Sequence, residues 1–321
     1  MHWECYSLKE SEDGLTIIRD TKLPEFEGEK VLTYAKNAGI FSLRATVRGY
    51  EMLKFQYPGS HDDHWDNVMQ DYTARRLTYK SDKVPALAGI TQMFQSVKKD
   101  LPLLGMWKLS LPRNLIWQVE QFSVRSGALP SWTFLSVDDV PVVTKPSWAD
   151  DGRTGPFEAD DIEVIEATVA WKGPAMTSRF ASSTLRVKAK LCQARLDSAF
   201  AEPRKEPNVF RIIPFDPDKK KDFGDSFGRS LGECWLDSEP VGEEETVWLL
   251  KLGRIAVSGG RSERISMKGY KAGVLVLRRA AGGGDDVFRR IGAGFLWWKR
   301  DGDGGKCFGE EGVQVRCVEL V

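Results

Sequence analysis

The chain has 321 residues, enough for about two domains, and its 46 basic and 46 acidic side chains give a formal net charge of zero. That balance excludes a general binder of nucleic acid or anionic membrane, which carries a basic excess. A hydrophobic content of 41% with 11 Trp and 16 Phe excludes an intrinsically disordered chain.

The five cysteines are Cys5, Cys192, Cys234, Cys307 and Cys317. Their number is odd and no pair has CxxC spacing, so reduced thiols and a cytoplasmic location are expected. No apolar run approaches the roughly 20 residues that span a bilayer, and "MHWECYSLKESEDG" is not a basic-then-apolar leader. No nucleic acid, membrane span or cofactor is expected.

In chain order, "HWEC" is a strand-like tetrapeptide with no lead-in, as though the start of its element were missing. Residues 6–63 are mixed, with turn-prone "SEDG" and "YPGSHDDH". "VLTYAKNAG" ends on a helix stop, and "GIFSLRATVRGYEMLKF" suits helix or strand. From Trp65 the periodicity is helical: Trp65, Val68, Met69 and Tyr72 fall at i, i+3, i+4 and i+7. A second helix follows "YKSD", capped by Ser81 or Asp82, with Pro85 in its first turn and Leu87, Ile90, Met93, Phe94 and Val97 as its stripe. "LPLLGMWKLSLPRNLIWQVE" adds short apolar turns or helices, so 65–121 reads as mainly helical.

Beyond "SGALPSW" the texture changes to short β-prone runs separated by Gly, Pro, Asp and Ser. They are "WTFLSV", "IEVIEATVAW", "STLRVKAKL", "NVFRIIPF", "ECWLD", "TVWLLKLGRIAV", "AGVLVLRR", "DVFRRIGAGFLWWK" and "GVQVRCVELV". "AAGGGDD" and similar gaps suit hairpins. The expected fold class is α+β: a helical portion at about 65–121 packed on a mostly antiparallel β-rich portion, a sandwich or an open barrel. The expected division is 1–125, mixed and mainly helical, and 126–321, β-rich.

Candidate chemistry is sparse. "FGDSFG" offers Ser226 as a nucleophile, but every histidine (His2, His61, His64) precedes it, so no C-terminal base follows. "HDDHWD" gathers His61, Asp62, Asp63, His64 and Asp66 at a density that suits a divalent metal. It also reads as a solvated Pro-Gly loop in which Asp63 or Asp66 caps the next helix. No phosphate-binding loop is present. Trp297 and Trp298, adjacent on one strand, face opposite sides, and the outward one suits a partner contact. A hydrolase at Ser226, a metal site at His61 and His64, and a β-module for a small molecule or glycan are the alternatives to a non-catalytic protein.

The block "WDNVMQDYTARRLTYKSDKVPALAGITQMFQ" resembles a segment that follows the domain of fungal heterokaryon-incompatibility (HET) proteins. The resemblance is carried by Trp65, Val68, Tyr72, Thr73, Arg76, Leu77, Thr78, Asp82, Lys83, Pro85, Ala86, Leu87, Gly89 and Ile90. "LLGMWKLSLPRNLIW" is similar to the family's next block through Gly105, Trp107, Leu115 and Trp117. "LPSWTFLSVDDVPV" is similar to a third through Pro130, Ser131, Trp132, Ser136 and Val137, with Thr133-Phe134 where the family has Ser-Trp. "GYKAGVLVLRRAAGGGDDVFRRIGAGFL" resembles its terminal segment, and "HWECYSLKESEDG" its sequence around the end of the HET domain.

The resemblance implies the C-terminal portion of such a protein, lacking most of the HET domain that the family uses to trigger cell death after non-self recognition. It implies a non-catalytic regulatory or interaction role, with a protein partner or a HET domain in cis or trans. It also implies self-association through exposed apolar surface near Trp3 and the first sixty residues. Trp65, Tyr72, Arg76, Leu77, Thr78, Asp82, Lys83, Pro85, Gly89, Trp107, Trp117, Pro130, Ser131 and Trp132 would be structural, with Arg75, Arg76, Asp82 and Lys83 as ties to a neighbouring body.

Overall fold

The computed structural model describes residues 2–4, 8–11, 17–19, 61–75, 77–125, 127–138, 140–144, 154–159, 162–197, 207–215, 231–238, 241–242, 245–257, 269–299 and 313–321. The protein is strand-rich, and one large, mainly antiparallel sheet dominates it. Its strands are β1 (Thr154–Glu158), β2 (Ile162–Trp171), β3 (Phe180–Asp197), β4 (Val209–Pro214), β5 (Gly232–Leu236), β6 (Thr246–Val257), β7 (Gly269–Arg279), β8 (Val287–Lys299) and β9 (Gln314–Leu320). A separate antiparallel meander joins His2–Glu4, Leu8–Ser11 and Ile17–Arg19.

The sheet closes on itself. β3 pairs β4, β4 pairs β5, β5 pairs β8, β8 pairs β7 and β7 pairs β6. β6 returns to β3 through Leu191↔Leu250 to Arg195↔Thr246. The result is a closed six-stranded antiparallel barrel, not the sandwich or open barrel expected from the sequence. Closure depends on the length of β3. Its second half lies between β4 and β6, while its first half extends past the barrel and pairs with β2 and β9. β9 also makes the sheet's parallel contact, beside Val287 and Phe288 of β8.

Strand alternation divides the apolar residues between two cores. Cys192, Ala194, Leu196, Phe210, Ile212, Cys234, Leu236, Val247, Leu249, Val274 and Val276 fill the barrel. Six strands enclose a narrow space, so branched and small side chains fill it. Glycine sets the tight spots: a Cβ on Gly294 would stand 2.2 Å from the Glu233 carbonyl oxygen, where β8 pairs with β5. Residues of the opposite parity, among them Leu191, Leu250, Leu275, Leu277, Ala293 and Phe295, point out of the barrel into a second core.

The segment 61–144 covers that second core. It contains helices α1 (His61–Thr73), α2 (Ala88–Lys98) and α3 (Leu111–Asn114), with 3-10 turns at Lys80–Lys83, Pro85–Leu87 and Phe134–Ser136. The two long helices bury their predicted stripes: Trp65, Val68 and Met69 on α1, Phe94 on α2, with Leu87 just before it. Three sequence expectations fail here. The run 101–121 keeps one short helix, α3, with Pro112 in its first turn, and adds short strands. Pro102–Leu103 pairs Met106–Trp107, and Gln118–Val119 pairs Val142–Val143. Ser81 and Asp82 do not cap α2, whose N-cap is Leu87 without a side-chain bond. "HDDHWD" is not a loop but the first turns of α1, where acidic residues suit the helix dipole. Neither Asp63 nor Asp66 therefore precedes the helix as its cap. "WTFLSV" is a 3-10 turn and a two-residue strand, Val137–Asp138, because Thr133 Oγ1 accepts from Leu135 N–H and turns the chain.

Candidate functional site

The family-like residues are dispersed in sequence and converge between the helices and the barrel wall. Trp65 on α1 donates its indole N–H to the Gly105 carbonyl at 2.7 Å. It meets Phe94 and Trp107 edge to face at 5.1 and 5.0 Å, each such pair contributing about 0.5–1.5 kcal/mol beyond burial. Gly105 sits at φ +86°, with Phe134 2.7 Å from where a Cβ would be, so a side chain fits neither the backbone nor the space. Thr133 Oγ1 donates to the Leu104 carbonyl, tying the third block to the second. Around this cluster, Asp66 takes Arg113 at 2.6 Å. Asp62 takes Lys98 and Ser110.

The 3-10 turn Lys80–Lys83 attaches elsewhere. Lys83 Nζ donates to the Val137 carbonyl and lies 3.1 Å from the Asp138 carboxylate, which Lys80 also approaches at 3.2 Å. Tyr72 donates its hydroxyl to the Lys83 carbonyl at 2.5 Å. Burial, with Asp82 adding a smaller push, raises the Tyr72 pKa above its ordinary value.

The deepest polar group is a cluster of Asp237, Arg290 and Arg125 on the barrel wall. Asp237 follows β5, and Arg290 lies on β8; both are fully buried. Arg290 Nε and Nη2 hold the two Asp237 oxygens at 3.0 and 3.2 Å. Arg125 Nη2 reaches Asp237 Oδ2 at 2.7 Å. The remaining Arg290 donors go to the carbonyls of Leu115 and Trp117 at 2.6 and 2.5 Å, and its guanidinium stacks 3.4 Å from the Trp117 ring centroid. Burial lowers the Arg290 pKa, opposed by the Asp237 charge and hydrogen bond. Two cations on one anion are tolerable in the interior because most of their donors are bonded, with Arg125 also reaching the Ser131 and Arg290 carbonyls and Ser136 Oγ. Ser131 completes the joint. Its Oγ accepts from the Arg290 N–H at 2.9 Å and donates to the Val321 carbonyl, whose oxygen also accepts Ser131 N–H at 3.0 Å.

Of the residues singled out in the sequence, Trp65, Trp107, Trp117, Ser131 and Trp132 are buried in this framework, and Trp117 donates to the Trp132 carbonyl at 3.0 Å. Tyr72, Leu77, Lys83 and Pro130 are half-buried; Thr78, Asp82, Pro85 and Gly89 are exposed. Arg75, just beyond α1, pairs with Asp71 at 2.6 Å. Arg76, Ser226 and the side chains of Trp3, His61, Asp63, Trp297 and Trp298 lie outside the described residues. Asp237, Arg125 and Arg290 received no role from the sequence. Arg290 lies within the last family-like block, but its twin Arg289 is its equal in type.

This cluster supplies structural support. A carboxylate sealed from water under two guanidinium groups does not serve as a base. Among the described residues no group of three or more His, Cys, Asp and Glu could hold a metal ion. None of their helices is long and apolar enough to cross a membrane. Fold and framework define a strand-rich protein whose closed antiparallel barrel is clasped by an aromatic layer. No family model, curated protein or solved structure matches the chain.

Proposed function

We propose that this chain is the non-catalytic regulatory and interaction region of a HET-type fungal allorecognition protein, acting in the cytoplasm with a protein partner or a HET domain. One observation supports this reading above others: the family-like blocks bond to one another. Trp65 of the first block bonds Gly105 of the second. Trp117 of the second bonds Trp132 of the third. Ser131 of the third receives Arg290 of the last. Residues that build a scaffold would be linked in this way, whereas residues assembling a reaction site would converge on an open space.

The test expresses a HET domain alone, and the same domain fused ahead of this chain, in a fungal host and scores cell death. The fusion is expected to kill conditionally, and Arg290→Leu in the barrel wall to abolish that condition. Death of equal extent with and without the chain would overturn the reading.

A further inference from the structure

β2 lies at the end of the strand path, paired to β3 on one side. Among the described residues, no backbone hydrogen bond outside the β2–β3 hairpin engages 166–171. Exposed sheet edges usually carry charges, bulges or Pro that prevent further pairing. Here those guards lie mainly at the ends of the edge. A bulge separates Val164 from Glu166, and Gly173-Pro174 follow Lys172. A second shift, between Ala170 and Trp171, is taken up on β3, where Ala181 is the extra residue, and β2 itself runs on to Trp171. Between the end guards runs "EATVAWK", with charge only at its two ends.

We infer that this window pairs antiparallel with the same window of a second copy, centred on Val169. In that register Glu166 of each chain stands opposite Lys172 of the other, twice by symmetry. Trp171 stands opposite the small Ala167, and Thr168 opposite Ala170. All of these partners share a face: Glu166, Thr168, Ala170 and Lys172 lie on the outer side, while Ala167, Val169 and Trp171 pack toward the core. Moving the centre by one residue either way loses the match. Centred on Ala170, Glu166 meets Pro174 and Trp171 meets Val169; centred on Thr168, Lys172 falls opposite Val164, beyond the bulge. Val169 and Trp171 are only half-buried in one chain, and a strand added at the edge would cover them. The interface is isologous and closes as a dimer, with main-chain hydrogen bonds supplying affinity and side chains the register. It stands independently of the HET-type reading.

Sedimentation equilibrium of the full chain tests the pairing, with Lys172→Glu and the exchange Glu166→Lys/Lys172→Glu beside it. A dimer is expected, weakened about tenfold by Lys172→Glu, because like charges then meet at two symmetric positions. The exchange is expected to recover most of the loss, less a small cost because Glu166 also lies 3.6 Å from Arg186 of its own chain. In a Cys317→Ser background, Val169→Cys is expected to give a covalent dimer on mild oxidation, since residues opposite in such a pair lie within disulfide reach. A wild-type chain that stays monomeric overturns the inference. So does a dimer indifferent to Lys172→Glu that forms no Val169→Cys cross-link.

Discussion

The barrel interior and the layer clasped around it are both buried, yet they hold together by opposite means. The interior is filled by aliphatic side chains, Phe210 and two cysteines whose positions follow strand parity. Its stability comes from apolar area and close packing, and many aliphatic combinations of the same volume satisfy it. The clasping layer combines Trp65, Trp107, Trp117 and Trp132 with a buried cluster of Arg125, Asp237 and Arg290. There Trp65, Trp117, Arg125 and Arg290 donate to fixed acceptors, those of the two arginines mostly on elements more than a hundred residues away. The difference is one of tolerance: a core of dispersive contacts degrades gradually, whereas a buried ionic joint fails when one member is lost.

Arg290→Leu should therefore have the largest effect, leaving the Leu115 and Trp117 carbonyls and part of Asp237 without donors. A loss of about 3–5 kcal/mol is expected from breaking a buried pair, read as a drop in the urea midpoint. Arg290→Lys should recover little, because one ammonium cannot serve a carboxylate and two carbonyls in the guanidinium's fork geometry. A mild Arg290→Lys would mean that charge, not geometry, makes the joint.

The barrel is probed by Gly294→Ala, whose new Cβ would press on the Glu233 carbonyl and the Cys234 backbone. Overpacking should cost about 1–3 kcal/mol in the same unfolding assay. Less than that would show that the contact between β5 and β8 gives way.

Alkaline pH separates the regions further. Burial, followed by the nearby Asp237 and Glu233, raises the Cys234 pKa well above that of an ordinary thiol. A group whose folded pKa is raised stabilises fully below its unfolded value, roughly 8.5 for Cys. That contribution is lost as pH rises above it, by up to about 1.4 kcal/mol per pH unit. Stability measured from about pH 8 to 10 should fall less steeply in Cys234→Ala than in the natural chain.

The smallest effect belongs to the surface. Arg254 and Glu158 lie 2.9 Å apart with both side chains about half exposed. Arg254→Ala should cost less than about 0.5 kcal/mol, and a larger loss would mean that β1 is held mainly by that pair.

Particular residues show how far the sequence can be read. "IEVIEATVAW" coincides with β2, and every later β-prone run lies on or within a strand of the sheet, because alternation and β-branched residues are local properties. Thr154–Glu158 escaped notice because Gly155 and Pro156 break its pattern. The stripes of α1 and α2 were legible for the same reason as the strands. The candidate framework was legible only in part: its tryptophans stood out by type and by the family-like blocks. Asp237 did not, because nothing nearby in the sequence distinguishes it from a solvated acid.

By itself the sequence determined the strands β2 to β9 and two amphipathic helices. The tertiary structure alone decided that the sheet closes, because β3 must turn from β2 and β9 to β4 and β6 partway along its length. It alone decided between Arg289 and Arg290. Strand alternation requires these neighbours to face opposite ways, but only the approach of Asp237, Trp117 and Ser131 makes one a surface charge and the other the buried centre of the joint.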